Sequence, residues 1–360
     1  MFVKNKKLKI LHVYKSYYPD TIGGVEKFIE NLINETKKKN VSSSIITVSD
    51  NRSSKNVIRC KKSFEIFSTP FSIQFLKKYK EIEKNFDIIH YHYPWPLMDI
   101  AALLFSKNKK KIVTYHSDIV KQKIIKFIYF PVMYFFLSSV KLIICSSNNY
   151  LSSSSILNIF KDKVKVIPFG IKKFFLTNKN ENKKFVLKYG SDYILFVGTY
   201  RYYKGLEYLI SAIQNSNYKL IIVGKNNKKK LKRLTNIKNP NIIFVNYASN
   251  KYLNLFYKNC RCVILPSHLR SEAFGISLLE GLSHNKPLVS CDIKTGTSYI
   301  NIHNKTGYVV KKKSPKDLRK AIDKIFRNKN YFIKYSNYWF NKNFTLDKMG
   351  KRYYKIYKNL

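Results

Sequence analysis

Residues 266–281 read PSHLRSEAFGISLLEG. Just upstream, Cys262-Val263-Ile264-Leu265 is a short apolar run, which predicts a strand buried on both faces of a parallel sheet. Downstream, the spacing of Ile276, Leu278, Leu279 and Leu282 predicts a helix over 276–284. The order strand, loop, glycine, helix is that of a βα unit. Gly275 stands at the helix start, where bare N–H groups and the helix dipole favour an anion such as a diphosphate. Glu272 lies in the loop, and Glu280 about one turn into the helix, with seven residues between them. The two carboxylates can face one pocket. The spacing leaves two readings open. In one, Glu272 caps the helix and Glu280 is a solvated helix residue. In the other, both hold hydroxyls beside a phosphate ester, because a carboxylate would repel the phosphate itself: sugar hydroxyls at Glu272, a ribose at Glu280.

Working outward, short apolar runs alternate with helical stretches. Strands are predicted at 8–14, 41–48, 87–90, 112–115, 142–145 and 164–167, and again at 193–197, 220–223, 241–245, 262–265 and 287–290. Helices are predicted at 27–38, 206–215 and 346–358, with a lysine-rich one after Gly224. This is the pattern of open parallel α/β sheets, which bind ligands at the carboxyl ends of their strands. The polar stretch around 179–188 places a boundary near residues 171–182, giving domains at 1–175 and 176–345. Gly23-Gly24 sits at the first strand-to-helix turn, where glycine brings backbone N–H groups close to a ligand at little cost.

The 360 residues suffice for two domains, and 45% hydrophobic content supplies a sizeable core. Against 68 Lys and Arg stand 21 Asp and Glu, a net charge of +47. Such a charge points to anionic partners, a nucleic acid or a membrane surface. However, Lys, Asn, Ile, Tyr and Phe are abundant throughout, as an AT-rich genome would give, and the lysines are not confined to one arm. Five cysteines without metal spacing fit a reducing cytoplasm, and Cys145 and Cys262 read as small core residues. The N-terminal apolar run is too short for a signal peptide, and no run is long enough for a transmembrane helix. The stretch 122–137, QKIIKFIYFPVMYFFL, is basic, then aromatic. It suits either a core helix or one lying in an anionic membrane interface, and residues 100–160 hold eight Lys and one acid, Asp118. His12, His90, His92 and His116 fall at or near strand ends; metal spacing and an acidic third ligand are lacking, so hydrogen bonding is their expected role.

The motif SEAFGISLLEG resembles the donor site of the retaining nucleotide-sugar glycosyltransferases called group 1, or glycosyltransferase family 4. The resemblance runs over roughly residues 8–340. It implies the GT-B architecture: two facing Rossmann-like α/β domains with an interdomain cleft, and a C-terminal helix, 346–360, crossing back to the first domain. It implies that Glu272 holds the sugar and Glu280 the ribose. The backbone at Phe274, Gly275, Ile276 and Ser277 would hold the diphosphate, with Lys204 and Arg201 of VGTYRYYKG as its cations. Here the sequence departs from the commonest form of the family: Thr199 follows Gly198 where an arginine is usual, and Arg201 stands in. His116, in TYHSD, would contact the donor sugar, with Asp118 near it; Gly23 and Gly24 would face the diphosphate and acceptor. YHYPWP, TYHSDIVKQK, RYYKG and TGTSYIN resemble the bacterial O-antigen mannosyl- and rhamnosyltransferases, which implies GDP-mannose or a related GDP-sugar as donor. The acceptor would be a glycan or lipid-linked glycan, met at the cytoplasmic face of the inner membrane. No metal or other cofactor is expected: cations and a helix start suffice for the diphosphate, and no Asp-x-Asp motif is present.

Two other functions stand against this. A GT-B fold also serves nucleotide-sugar epimerases. A basic nucleic-acid-binding protein would match the charge, but the aromatics do not line up beside the basic runs as a stacking surface, and no nucleic-acid module is recognisable.

Overall fold

The computed structural model describes residues 7–21, 23–66, 69–119, 123–173, 178–225, 239–328 and 332–360. Gln122 and nearly all of the lysine-rich helix expected after Gly224 lie outside them. The chain forms two compact units, Met1–Gly170 with Leu346–Leu360, and Ile171–Thr345, against sequence boundaries of 175/176 and 345/346.

The first unit is built on a seven-stranded parallel sheet. Its strands are β1 (Leu8–Val13), β2 (Val41–Val48), β3 (Val57–Cys60), β6 (Ile88–Tyr93), β7 (Lys110–Tyr115), β8 (Leu142–Cys145) and β9 (Val164–Val166), in the order β3-β2-β1-β6-β7-β8-β9. β4 (Phe64–Ile66) and β5 (Thr69–Phe71) form a separate antiparallel pair whose Phe64 and Phe71 rings stack at 5.0 Å. β6 is buried along its whole length, as a central strand must be with both faces covered. Its IIHYHY sequence sends side chains alternately to the two faces. Tyr91 and Tyr93 pack against Phe136 and Met133 of the helix Lys123–Ser139. His90 and His92 lie on the opposite face with His12 and Thr114, which the register places beside them. That face receives the C-terminal helix Leu346–Lys358. Tyr357 Oη and Thr114 Oγ1 take the two ring nitrogens of His90 at 2.7 and 2.8 Å, and Tyr353 Oη meets Thr114 Oγ1 at 3.0 Å.

The second unit has a six-stranded parallel sheet. It comprises β10 (Tyr193–Val197), β11 (Leu220–Val223), β12 (Ile242–Val245), β13 (Cys260–Leu265), β14 (Leu288–Cys291) and β15 (Gly307–Val310), ordered β12-β11-β10-β13-β14-β15. Residues 307–310 supply the edge strand β15, since Tyr308-Val309-Val310 are strong strand formers once Gly307 has passed Leu288. In both sheets the chain winds one way from the first strand and then the other, the doubly wound topology whose ligands sit at the switch point. All five cysteines are buried and unbridged.

Candidate functional site

In the second unit the switch point lies between β10 and β13, and the loops leaving their carboxyl ends meet there. Residues 198–205 follow β10; residues 266–275 follow β13. His268 N–H donates to Tyr203 O at 2.9 Å, tying the loops together. Gly205 is left-handed, φ +65°, and a Cβ on it would stand 2.3 Å from Pro266 O, so the approach requires glycine. It places Lys204 Nζ 3.3 Å from Glu272 Oε2. Ser267 Oγ donates to the same oxygen at 3.4 Å. Burial works against the charge on Lys204, but the Glu272 carboxylate, helped by Tyr203, outweighs it and the opposition of Arg201, so Lys204 is held above the ordinary lysine range.

Gly275 caps the helix Ile276–Ser283 at φ +90°, ψ +60°, and no side chain caps it. The first helical N–H groups thus have no intrahelical acceptor. Thr295 Oγ1 donates to Glu272 O at 2.9 Å and Gly296 N–H to Ala273 O at 2.9 Å, bringing a second helix start, Gly296–Ile300, against the same loop. Both ordinary readings of the carboxylates fall here. Glu272 does not cap the helix, and Glu280 is buried, accepting from Tyr257 Oη at 2.8 Å. Lys204 and Glu272, assigned from sequence to different parts of a ligand, are paired with each other, and a lysine keeps N–H donors to spare for an anion. Phe274 is core: its ring is buried near Phe344. Ser277 is also buried. Arg201 is exposed in the loop. Sequence reasoning missed Ser267 and Tyr257, which hold the two carboxylates; Ser267 follows the Leu265-Pro266 strand end directly, and nothing marks Tyr257 in the sequence.

Two family models cover nearly the whole chain: one described as glycosyl transferases group 1, over residues 177–342, and one as glycosyltransferase family 4, over residues 22–173. The O-antigen chain mannosyltransferase C of Escherichia coli is 38% identical over 98% of this chain and 99% of its own length. This chain is a group 1 glycosyltransferase. The D-rhamnosyltransferase WbpZ of Pseudomonas aeruginosa is 36% identical over 88% of the transferase and 86% of its own length. Among solved structures, the transferase resembles sucrose-phosphate synthase from Thermosynechococcus elongatus, at a TM-score of 0.78 and 17% identity over 98% of both chains. It also resembles Anabaena HepE in complex with UDP and glucose, at 0.77 and 14% over 98% of this chain and 100% of that one. At such identities the likeness is of fold, and the fold is GT-B.

In the first unit of the transferase, Gly23 precedes the helix Gly24–Lys37 in an extended conformation, φ −133°, which any residue adopts. A Cβ there would stand 2.4 Å from the buried Glu26 carboxylate, which itself accepts from Ser16 Oγ at 2.7 Å. A carboxylate at this turn can accept from hydroxyls, and Lys15 lies within electrostatic reach of it. His116 is buried, with its Nε2 3.1 Å from His92 Nδ1. Asp118 accepts from Tyr115 Oη and Ser154 Oγ at 2.9 and 2.8 Å. The helix Lys123–Ser139 has two faces. Tyr129, Met133, Phe136 and Leu137 are core, whereas Phe127 and Ile128 are 83% and 73% exposed and Phe135 61%.

Proposed function

We propose that the transferase moves a mannosyl or related deoxyhexosyl group, with retention, from a GDP-sugar to a glycan or lipid-linked glycan in O-antigen assembly. The carrying observation is the Lys204–Glu272 pair set beside the uncapped helix start at Gly275. A cation and bare N–H groups converge where a leaving diphosphate would gather charge, and a carboxylate adjoins them where sugar hydroxyls would lie. In this reading Lys204, Arg201 and the N–H groups of Gly275, Ile276 and Ser277 hold the diphosphate. Glu272 holds sugar hydroxyls and Glu280 the ribose. His116 contacts the donor sugar, and Gly23 and Gly24 face the diphosphate and the acceptor. The choice of sugar rests on the names of the E. coli and P. aeruginosa relatives. No metal is needed, so turnover should survive EDTA. Among the described residues no helix is long and apolar enough to cross a membrane. The exposed Phe127, Ile128 and Phe135, in a basic stretch, would rest on an anionic membrane surface at the cytoplasmic face.

The test is purified protein with a panel of GDP-, UDP- and dTDP-sugars, reading nucleoside diphosphate release and, for a transferred product, its anomeric configuration by NMR. Release from a GDP-sugar, lost in Glu272→Ala, supports the reading. Folded protein that neither binds nor turns over any donor refutes it.

A further inference from the structure

Three buried histidines in the first unit form a chain. His12 Nδ1 lies 3.1 Å from His92 Nε2, and His92 Nδ1 lies 3.1 Å from His116 Nε2. The two outer nitrogens, His12 Nε2 and His116 Nδ1, are buried and have no hydrogen-bond partner among the described residues. The surroundings are aromatic: Phe28 packs on His92 and His116, and Phe169 on His116. His12, His90 and His92 also have ring nitrogens within 4.8 Å of one another, the outline of a metal cluster. However, both nitrogens of His90 are held by hydroxyls and both of His92 by histidines, and no carboxylate is in the set to offset a cation.

A neutral imidazole carries one N–H and one bare nitrogen, and what one nitrogen does fixes the other. The middle ring, His92, must therefore donate at one side and accept at the other. If it donates to His116, it accepts from His12, and all three rings are protonated on Nδ1. If it donates to His12, all three are protonated on Nε2. We infer that His12 and His92 are positioning residues that decide, through these two hydrogen bonds, whether His116 offers a donor or an acceptor at Nδ1. Going from one arrangement to the other moves the His92 proton to its neighbour and that of the donating end ring to His92. One proton must also leave the chain at one end and another enter at the other. Burial keeps the rings neutral, with His12 and His116 pulled down to about 3, and it closes the ends to casual exchange. His116 thus meets a ligand oxygen with its polarity already chosen. The inference rests on the reading that His116 contacts the donor sugar, and it adds how His116 is prepared for that contact.

The experiment is a long-range proton–nitrogen correlation spectrum of the full chain labelled with 15N-histidine, which reads each ring's tautomer, combined with kinetics of donor turnover. His12, His92 and His116 should report one shared tautomer. His12→Phe, which removes the far polar partner, should disturb the tautomers of His92 and His116. It should also lower kcat about tenfold while the donor KM stays within about twofold. His12→Asn, which keeps a polar group near the Nδ1 position, should restore the shared tautomer and most of kcat. Mixed tautomers in the native protein overturn the inference. So does a His12→Phe protein with native tautomers, or equal losses in His12→Phe and His12→Asn, which would mark the ring as packing alone. If the native protein turns over no donor, the function proposed above fails, while the tautomers still decide for or against the chain.

Discussion

Removing Lys204 should cost stability as well as turnover, and the two losses separate in a double-mutant cycle. At 3.3 Å, with an effective dielectric of about 20, the attraction between Lys204 and Glu272 is about 5 kcal/mol before desolvation. Much of that is offset, because both side chains are largely out of water, 15% and 13% exposed. Lys204→Met leaves Glu272 with Ser267 as its side-chain partner and should destabilise the second unit by about 2–3 kcal/mol. Glu272→Gln, which leaves a lysine able to reach water, should cost about 1–2 kcal/mol. The double variant should lose less than the sum, with a coupling of about 1–2 kcal/mol. At about 2–4 °C per kcal/mol, these differences are readable by thermal melts and by urea titration. All three variants should lose donor turnover, so only stability distinguishes the double from the singles. Additivity within about 0.5 kcal/mol would refute the claim that the pair is formed in the native state. Native turnover in Lys204→Met would remove Lys204 from the diphosphate.

Gly275→Ala forces a side chain into a left-handed conformation, with its Cβ 3.1 Å from Thr297 Cγ2; it should cost about 1–2 kcal/mol and weaken nucleotide affinity in calorimetry. Tyr357→Phe strips the hydroxyl from His90 Nδ1 and should cost about 1–3 kcal/mol by urea titration, with earlier hydrogen exchange in the C-terminal helix. The four buried histidines of the first unit make stability acid-sensitive. Burial depresses all four, with His12 and His116 at about 3, so the unfolded chain binds more protons than the folded one below about pH 6.5. Stability then falls as pH drops from there, by about 1.4 kcal/mol per pH unit for each ring. Buried Asp99, raised well above the usual carboxylate range, and partly buried Glu207, also raised by burial, act with the opposite sign but are two groups against four. A urea midpoint that stays level between pH 6.5 and 5 would contradict this.

The sequence by itself determined the α/β class and the strand–loop–glycine–helix motif. Runs such as Cys262–Leu265 are apolar on every residue, and such runs are stable only as strands covered on both faces, so the parallel sheet follows from local composition. Gly275 was legible for a similar reason, because an apolar helical spacing begins on the next residue. Only the tertiary structure decided which side chains meet. Lys204 and Glu272 are 68 positions apart, and their pairing depends on the order β10-β13, which places two distant loops side by side at the switch point. The ordinary readings of Glu272 and Glu280 could be dismissed only with Tyr257 and the uncapped helix start in view. The chain His12–His92–His116 arises because β1, β6 and β7 are neighbours in register, a relation that strand pairing creates and that local pattern does not encode.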